Sequence, residues 1–225
     1  MEEQRERKRE RKPLKNERAH GFDASILRRA SRRSHAMGVR LALATGARRG
    51  EVLGLTWDSF DARTSSIRIN QQQTKSGLRA PKTERGKRTI TLDGATIERL
   101  AEWKSQQAEY LFSFGIRQTE KTPIVSDELG GFLEPDNFSR WWDIFRKRHG
   151  FDTLKLHDLR HTQATLLIAQ GVDIKTVQNR LGHTKASTTL DLYAGVLPGK
   201  DAEAASVIGS LLTTKKPIYG ETVNL

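Results

Sequence analysis

Tyr193 closes the run Leu181-Gly182-His183-Thr184-Lys185-Ala186-Ser187-Thr188-Thr189-Leu190-Asp191-Leu192-Tyr193. Upstream stand His157-Asp158-Leu159-Arg160 and Thr45-Gly46-Ala47-Arg48-Arg49-Gly50-Glu51. A lone tyrosine is most simply a half-buried core residue. Its phenol, with an ordinary pKa of about 10, also needs help to attack anything. Dense positive charge supplies that help. It lowers the phenol pKa and stabilises the charge that builds on a phosphorane. Two arginines, two histidines and a lysine around one tyrosine therefore suggest a tyrosine nucleophile acting on a nucleic-acid phosphate.

Each piece is weaker alone. His157 and Arg160 are three apart and share one face of a helix. An arginine fork matches two phosphate oxygens, but a surface helix with a chance His-x-x-Arg is the simpler reading of that motif in isolation. Arg48 follows Thr45-Gly46 at a turn between two helices, where side chain and backbone amides can meet an anion. Glu51 is placed to support it, or to form an ordinary salt bridge at a helix start. Lys82, in Ala80-Pro81-Lys82-Thr83, lies on a loop from which a lysine can protonate a leaving oxygen. Lys75 and Lys87 share that loop and compete for the role.

The segment from Ala164 to His183 has a second reading. Gly171 separates a short apolar helix from one whose inward stripe is Ile174, Val177 and Leu181, as in a helix-turn-helix. A non-catalytic DNA-binding regulator would use this stretch, and would leave Tyr193, Arg48 and Lys82 without a task.

Elements must hold these residues. Asp23 suits the N-cap of a helix starting Ala24-Ser25-Ile26-Leu27, and a second helix is expected over about 35–44. A third carries Glu51, Val52 and Leu55 and ends near Trp57. The period then changes to two. Ile67 and Ile69 alternate with Arg68 and Asn70, and Ile90 is flanked by Thr89 and Thr91, giving a hairpin with a long loop over 75–87. A short strand at Ile124-Val125 is expected to complete a small sheet. Helices are predicted at about 94–114 and 135–149, and from Leu156 onward. Tyr193 falls on a helix capped at Ser187 and stopped at Gly195.

The bulk properties agree with this chemistry. The chain has 225 residues and a net charge of +12, an electrostatic footprint suited to a polyanion. It has no cysteine, which removes disulfides, thiol nucleophiles and thiolate metal sites. No apolar run approaches the roughly 20 residues of a membrane helix, so no membrane association is expected. Residues 1–20 mix eight Lys/Arg with five Asp/Glu and cannot bury a core. They are expected to form a basic, disordered tail.

Taken together, the motifs resemble the catalytic domain of the tyrosine recombinases, the phage-integrase family. Thr45–Glu51 looks like its first arginine box. Pro81-Lys82-Thr83 with Arg88-Thr89-Ile90-Thr91-Leu92 looks like its lysine-bearing hairpin. Leu156–Thr162 looks like its second box, and Leu181-Gly182-His183 and Leu192-Tyr193 like its last two elements. The resemblance implies a mainly α fold with a small three-stranded antiparallel sheet, the DNA breaking-rejoining fold. It implies that Arg48 and Arg160 bind the non-bridging oxygens of the scissile phosphate and that His183 adds a hydrogen bond. Tyr193 would form a 3′-phosphotyrosyl intermediate, Lys82 would protonate the leaving 5′-oxygen, and His157 would move the tyrosine proton or support the phosphate. Glu51 would be structural support. The cationic cluster would do what a metal does elsewhere, so no cofactor is expected.

The implied partner is double-stranded DNA, bound by a homo-oligomer, a tetramer, with accessory DNA-bending proteins, in the bacterial cytoplasm. The implied outcome is integration or excision of a phage or mobile element. A relaxing topoisomerase of type IB would share the chemistry. The expected organisation is a tail over 1–20, the catalytic domain over 21–198, and a C-terminal tail over 199–225 with a docking helix at Asp201–Leu212. Family members usually carry a DNA-clamping domain before the first arginine box. The 47 residues ahead of Arg48 are too few for it, so a catalytic fragment or a short subgroup is expected.

Overall fold

The structure, a computed structural model, describes residues 24–81 and 86–183, with the backbone alone for residues 24–29. Lys82, Tyr193, the tail over 1–20, the Asp23 cap, the helix expected from Ser187 and the docking helix at 201–212 lie outside the described residues.

One helix, α1 (Ala24–Thr45), replaces the two expected at the start. The polar stretch Ser31–Ser34 reads as a break, yet Ser34 is buried. Its hydroxyl donates to Ser126 O and accepts from Ser126 N, each at 2.9 Å. Ser34, Met37, Leu41, Ala42 and Thr45 then form a continuous buried stripe at helical spacing. The third helix is shorter than expected. α2 (Arg49–Leu53) ends at Gly54, and the chain continues through a single 3-10 turn at Trp57–Ser59.

The sheet is antiparallel, in the order β1 (Phe60–Asp61), β2 (Ser66–Ile69), β5 (Arg88–Thr91). The β2–β5 pairing is the one the alternating isoleucines predict: Ile67 opposes Ile90, both buried, and Ile69 opposes Arg88. The described part of the loop between them has structure of its own. It contains a second hairpin, β3 (Gln72–Thr74) with β4 (Gly77–Arg79). Its first strand packs on α2, and the approach is close: a Cβ on Gly54 would stand 2.9 Å from Gln72 Cα.

Ile124-Val125 is not the third strand. Both residues are fully buried, and Ile124 N donates to Leu55 O at 2.9 Å. Among the described residues no ladder includes the dipeptide; isolated bridges flank it, Thr56–Pro123 on one side and Ser126–Phe132 on the other. Pro123 has no N–H to extend a ladder, so the segment packs as core without joining a sheet.

α3 (Gly94–Ser113) begins at Asp93, whose side chain accepts from Thr96 N at 2.9 Å. α4 (Pro135–Arg148) begins with proline at its first position. The main core joins α1, α2, the sheet, α3 and α4 through Leu41, Val52, Trp57, Ile67, Leu100 and Phe138. A smaller core of Ala164, Ile168, Val177 and Leu181 joins α5 (Asp158–Ala169) to α6 (Ile174–Leu181). Among the described residues, no helix is long and apolar enough to cross a membrane.

Candidate active site

The turn after α1 is held by its own polar groups. Thr45 Oγ1 donates to Leu41 O and accepts from Ala47 N at 3.1 Å. Gly46 adopts φ +63, and a Cβ there would lie 2.1 Å from Gln163 Oε1 and 2.5 Å from Leu181 Cδ2. Only glycine fits a left-handed position pressed against two other helices. The turn delivers Arg48 to the N-cap of α2.

Beneath Arg48 lies Glu51, with 4% of its side chain exposed. It accepts from Arg48 N at 2.8 Å and from Arg48 Nη1 at 2.9 Å. Arg88 Nη2, from β5, donates at 2.9 Å to Oε2, the same oxygen that accepts from Arg48 N. Burial pushes the Glu51 carboxyl up, but the Arg88 hydrogen bond and the charges of Arg88 and Arg48 outweigh it and hold the group below the ordinary carboxylate range. Arg88 is itself fixed, donating from Nε to Arg180 O at 2.8 Å and from Nη1 to Gly86 O at 3.0 Å. Arg48 keeps 47% of its side chain exposed. Its backbone and one end are anchored, and the rest faces the cleft.

Arg160 is buried on the first turn of α5 and donates from Nη1 to Gly46 O and from Nη2 to Leu181 O at 2.7 Å. One guanidinium thus ties the first arginine turn to the end of α6. Burial, then the charge of Arg48, pushes Arg160 down to about 9, so it remains a cation at neutral pH. His157 is the N-cap residue of α5 and is exposed, with its ring edge-on to His161 at 4.8 Å. Although the residue is exposed as a whole, the part of its ring withdrawn from water, and then the charges of His161, Arg160 and Arg48, lower its pKa.

α6 ends at Gly182, in the left-handed conformation at φ 66, ψ 41. His183 follows at once, its N donating to Gln178 O at 3.1 Å. Its imidazole is pushed down to about 4, by burial and then by Arg160, Arg48, His161 and Arg88. The helix that carries it is bound to the body: Arg180 donates to Ala44 O at 2.6 Å and to Thr91 O at 3.2 Å. The helix-turn-helix look of residues 164–183 is therefore a pair of helices tied to α1 and β5, with His183 at its end.

Arg48, His157 and Arg160 line one cleft of about 530 Å3, with Arg49, Gln73 and Lys75 on its other walls. Glu51 supports it from below, and His183 lies within electrostatic reach of both arginines. Lys87 is exposed on the strand side. Lys75, in the β3–β4 turn, lies in the cleft. Arg88 was not singled out from sequence. Its signal was Glu51 itself, an acid followed directly by Val52 and Leu53 in a short helix that buries all three, where a carboxylate needs a cation partner.

The fold, mostly helical with a small antiparallel sheet, is that of the tyrosine recombinase catalytic domain. The chain belongs to the phage integrase family, whose model matches residues 22–199. It is 30% identical over 187 residues to the tyrosine recombinase XerC-like protein of Caldanaerobacter subterraneus subsp. tengcongensis, covering 76% of this chain and 48% of that protein. It is 33% identical over 176 residues to the ICEBs1 integrase of Bacillus subtilis, with coverage of 76% and 48%. The chain thus spans about half the length of the curated relatives it matches. In fold it is similar to the Tn1549 transposon integrase solved with circular intermediate DNA, at a TM-score of 0.65, 20% identity, and coverage of 79% of this chain and 59% of that one. The crystal structure of XerA recombinase superposes with a TM-score of 0.57 at 20% identity, covering 88% and 65%.

Proposed function

We propose that this chain cleaves and rejoins double-stranded DNA in site-specific recombination of a phage or mobile element. The observation that carries this reading is the meeting of Arg48, His157 and Arg160, from two separate parts of the chain, around one cleft, with His183 in electrostatic reach. Arg48 and Arg160 hold the non-bridging oxygens of the scissile phosphate, and His183 donates a third hydrogen bond. Tyr193 attacks phosphorus, and the bond to the 5′-oxygen breaks as the bond to the phenolic oxygen forms. Lys82 gives its proton to that 5′-oxygen, and His157 receives the proton of the phenol. The phosphotyrosyl bond conserves the energy of the phosphodiester, so a second 5′-hydroxyl reseals the strand by the reverse steps. Glu51 positions Arg48. The domain spans 21–198, and the 199–225 tail carries a helix that docks on a neighbouring protomer or back on its own, in a tetramer assembled on DNA with DNA-bending accessory proteins.

The test is a nicked suicide substrate. Wild-type chain becomes covalently attached to DNA, seen as a band of lowered mobility under denaturing conditions. Tyr193→Phe binds DNA and gives no adduct. An adduct from the Phe variant removes Tyr193 from the mechanism. Binding by wild type with no adduct favours a DNA-binding regulator, and relaxation of supercoils without site preference favours a topoisomerase.

A further inference from the structure

A second cluster of charge stands on the rim of the cleft. Lys75 Nζ lies 2.7 Å from Asp136 Oδ2. Arg49 Nη1 approaches the other oxygen of the same carboxylate at 3.8 Å, and also donates to Ser139 Oγ and to Pro135 O. Arg49 and Lys75 share the cleft with Arg48, His157 and Arg160. The cluster is open to water: 71% of the Lys75 side chain, 47% of Asp136 and 40% of Arg49 are exposed. Lys75 projects from the turn of a hairpin outside the main sheet, whereas Arg49 is on α2 beside Arg48. An ion pair this exposed gives up little when it opens. Another anion of the same charge can therefore take the carboxylate's place.

We propose that Lys75 and Arg49 bind a second backbone phosphate of duplex DNA, a neighbour of the reacting one, and that Asp136 is the anion they exchange for it. A phosphodiester carries one negative charge on two non-bridging oxygens, as the carboxylate does, so the two cations keep equivalent partners. The released Asp136 carboxylate stays in the first turn of α4, where the free N–H groups favour it, and within electrostatic reach of Arg140. Before DNA arrives, Asp136 occupies both cations. The proposal rests on the cleft being a DNA phosphate site.

The experiment measures binding of the full 225-residue chain to a short labelled duplex over a salt series, for wild type, Lys75→Ala, Asp136→Asn and the double variant. Lys75→Ala weakens binding and lowers the slope of log K against log salt by about one. Asp136→Asn tightens binding by about three- to tenfold, since no carboxylate has to be displaced. In the double variant that gain shrinks to the part that acts through Arg49. An unchanged slope for Lys75→Ala, no tightening with Asp136→Asn, or a gain undiminished in the double variant each overturns the exchange; the last would mark a mere effect of net charge. Cleavage of a substrate with a 5′-bridging sulfur adds a control. Restoration of Lys75→Ala by sulfur would make Lys75 the proton donor and overturn its role as a clamp. A wild-type chain that forms no adduct with the nicked substrate defeats the cleavage reading alone and leaves the binding series interpretable.

Discussion

Glu51 and Asp136 are each flanked by two cations, Glu51 by Arg48 and Arg88 beneath the cleft, Asp136 by Lys75 and Arg49 on its rim. Only 4% of the Glu51 side chain and 7% of Arg88 are exposed, against 47% of Asp136 and 71% of Lys75. The buried carboxylate has lost its water and depends wholly on its partners, so breaking that pair strands a charge. The exposed carboxylate can return to water at little cost. The same ionic chemistry is thus a fixed brace in one place and an exchangeable contact in the other. A phosphate-binding cleft needs both, arginines that are already aimed and a rim that can release its own anion.

Removing the brace has the largest expected effect. Glu51→Gln leaves Arg88 buried at β5 without its carboxylate and loosens Arg48. The expected loss is about 3–5 kcal/mol of stability, read as a lowered midpoint in urea denaturation with unchanged m-value, together with loss of DNA cleavage. A loss as small as that of a surface pair would show that Glu51 is no brace.

The turn that carries Arg48 is the next place to press. Gly46→Ala puts a methyl group at a left-handed position, 2.1 Å from Gln163 Oε1. The backbone penalty is about 1–3 kcal/mol. Because Arg160 donates to Gly46 O, the shift also moves the second arginine. Cleavage should fall more than stability, and equal falls would mean that the turn holds the fold and not the site.

Acid distinguishes the two regions further. His35 is buried, its ring tilted against Trp141 at 4.8 Å and stacked on Phe138 at 5.6 Å, and its Nδ1 donates to Ser31 O at 2.6 Å. Burial lowers its pKa, and His183 is lowered to about 4. For a group depressed in the folded state, the stabilisation is full above its unfolded pKa and is lost as pH falls. Both histidines therefore cost stability below about pH 6.5, and Glu51 adds its share only below the ordinary carboxylate range. Chemical denaturation between pH 7 and 4 should show a fall that His35→Phe, which keeps an aromatic ring against Trp141, makes shallower. A profile with the same slope in both proteins would remove His35 from it.

Much of this was legible beforehand. The isoleucine alternation predicts the β2–β5 pairing, and Asp93 and Pro135 mark the starts of α3 and α4. The arginine boxes and His157 predict the residues that line the cleft, because residue type and spacing carry that information. What could not be read depended on distant partners. Ser34 looks like a break in a polar run until Ser126, ninety-two positions away, is placed against it. Pro123 keeps a buried β-rich dipeptide out of the sheet. The β3–β4 hairpin hides in a loop of Gln, Lys and Gly with no apolar alternation. Asp136 looks like any acid in the first turn of a helix, and nothing in its neighbourhood of sequence names Lys75.

The smallest effect belongs to that last pair, and it tests the comparison most directly. Lys75→Ala and Asp136→Asn each break the 2.7 Å contact on the rim. Neither leaves a charge out of water, since Lys75 and Asp136 are both open to solvent. Each variant should unfold at the urea midpoint of the wild type within error, while their affinities for duplex DNA move in opposite directions. Raising the salt concentration should bring the three affinities together, because the interaction that separates them is screened over a Debye length of about 10 Å at 0.1 M. A clear fall in the unfolding midpoint of either variant would mean that the rim braces the hairpin as Glu51 braces Arg48, and the contrast between a fixed and an exchangeable carboxylate would fail.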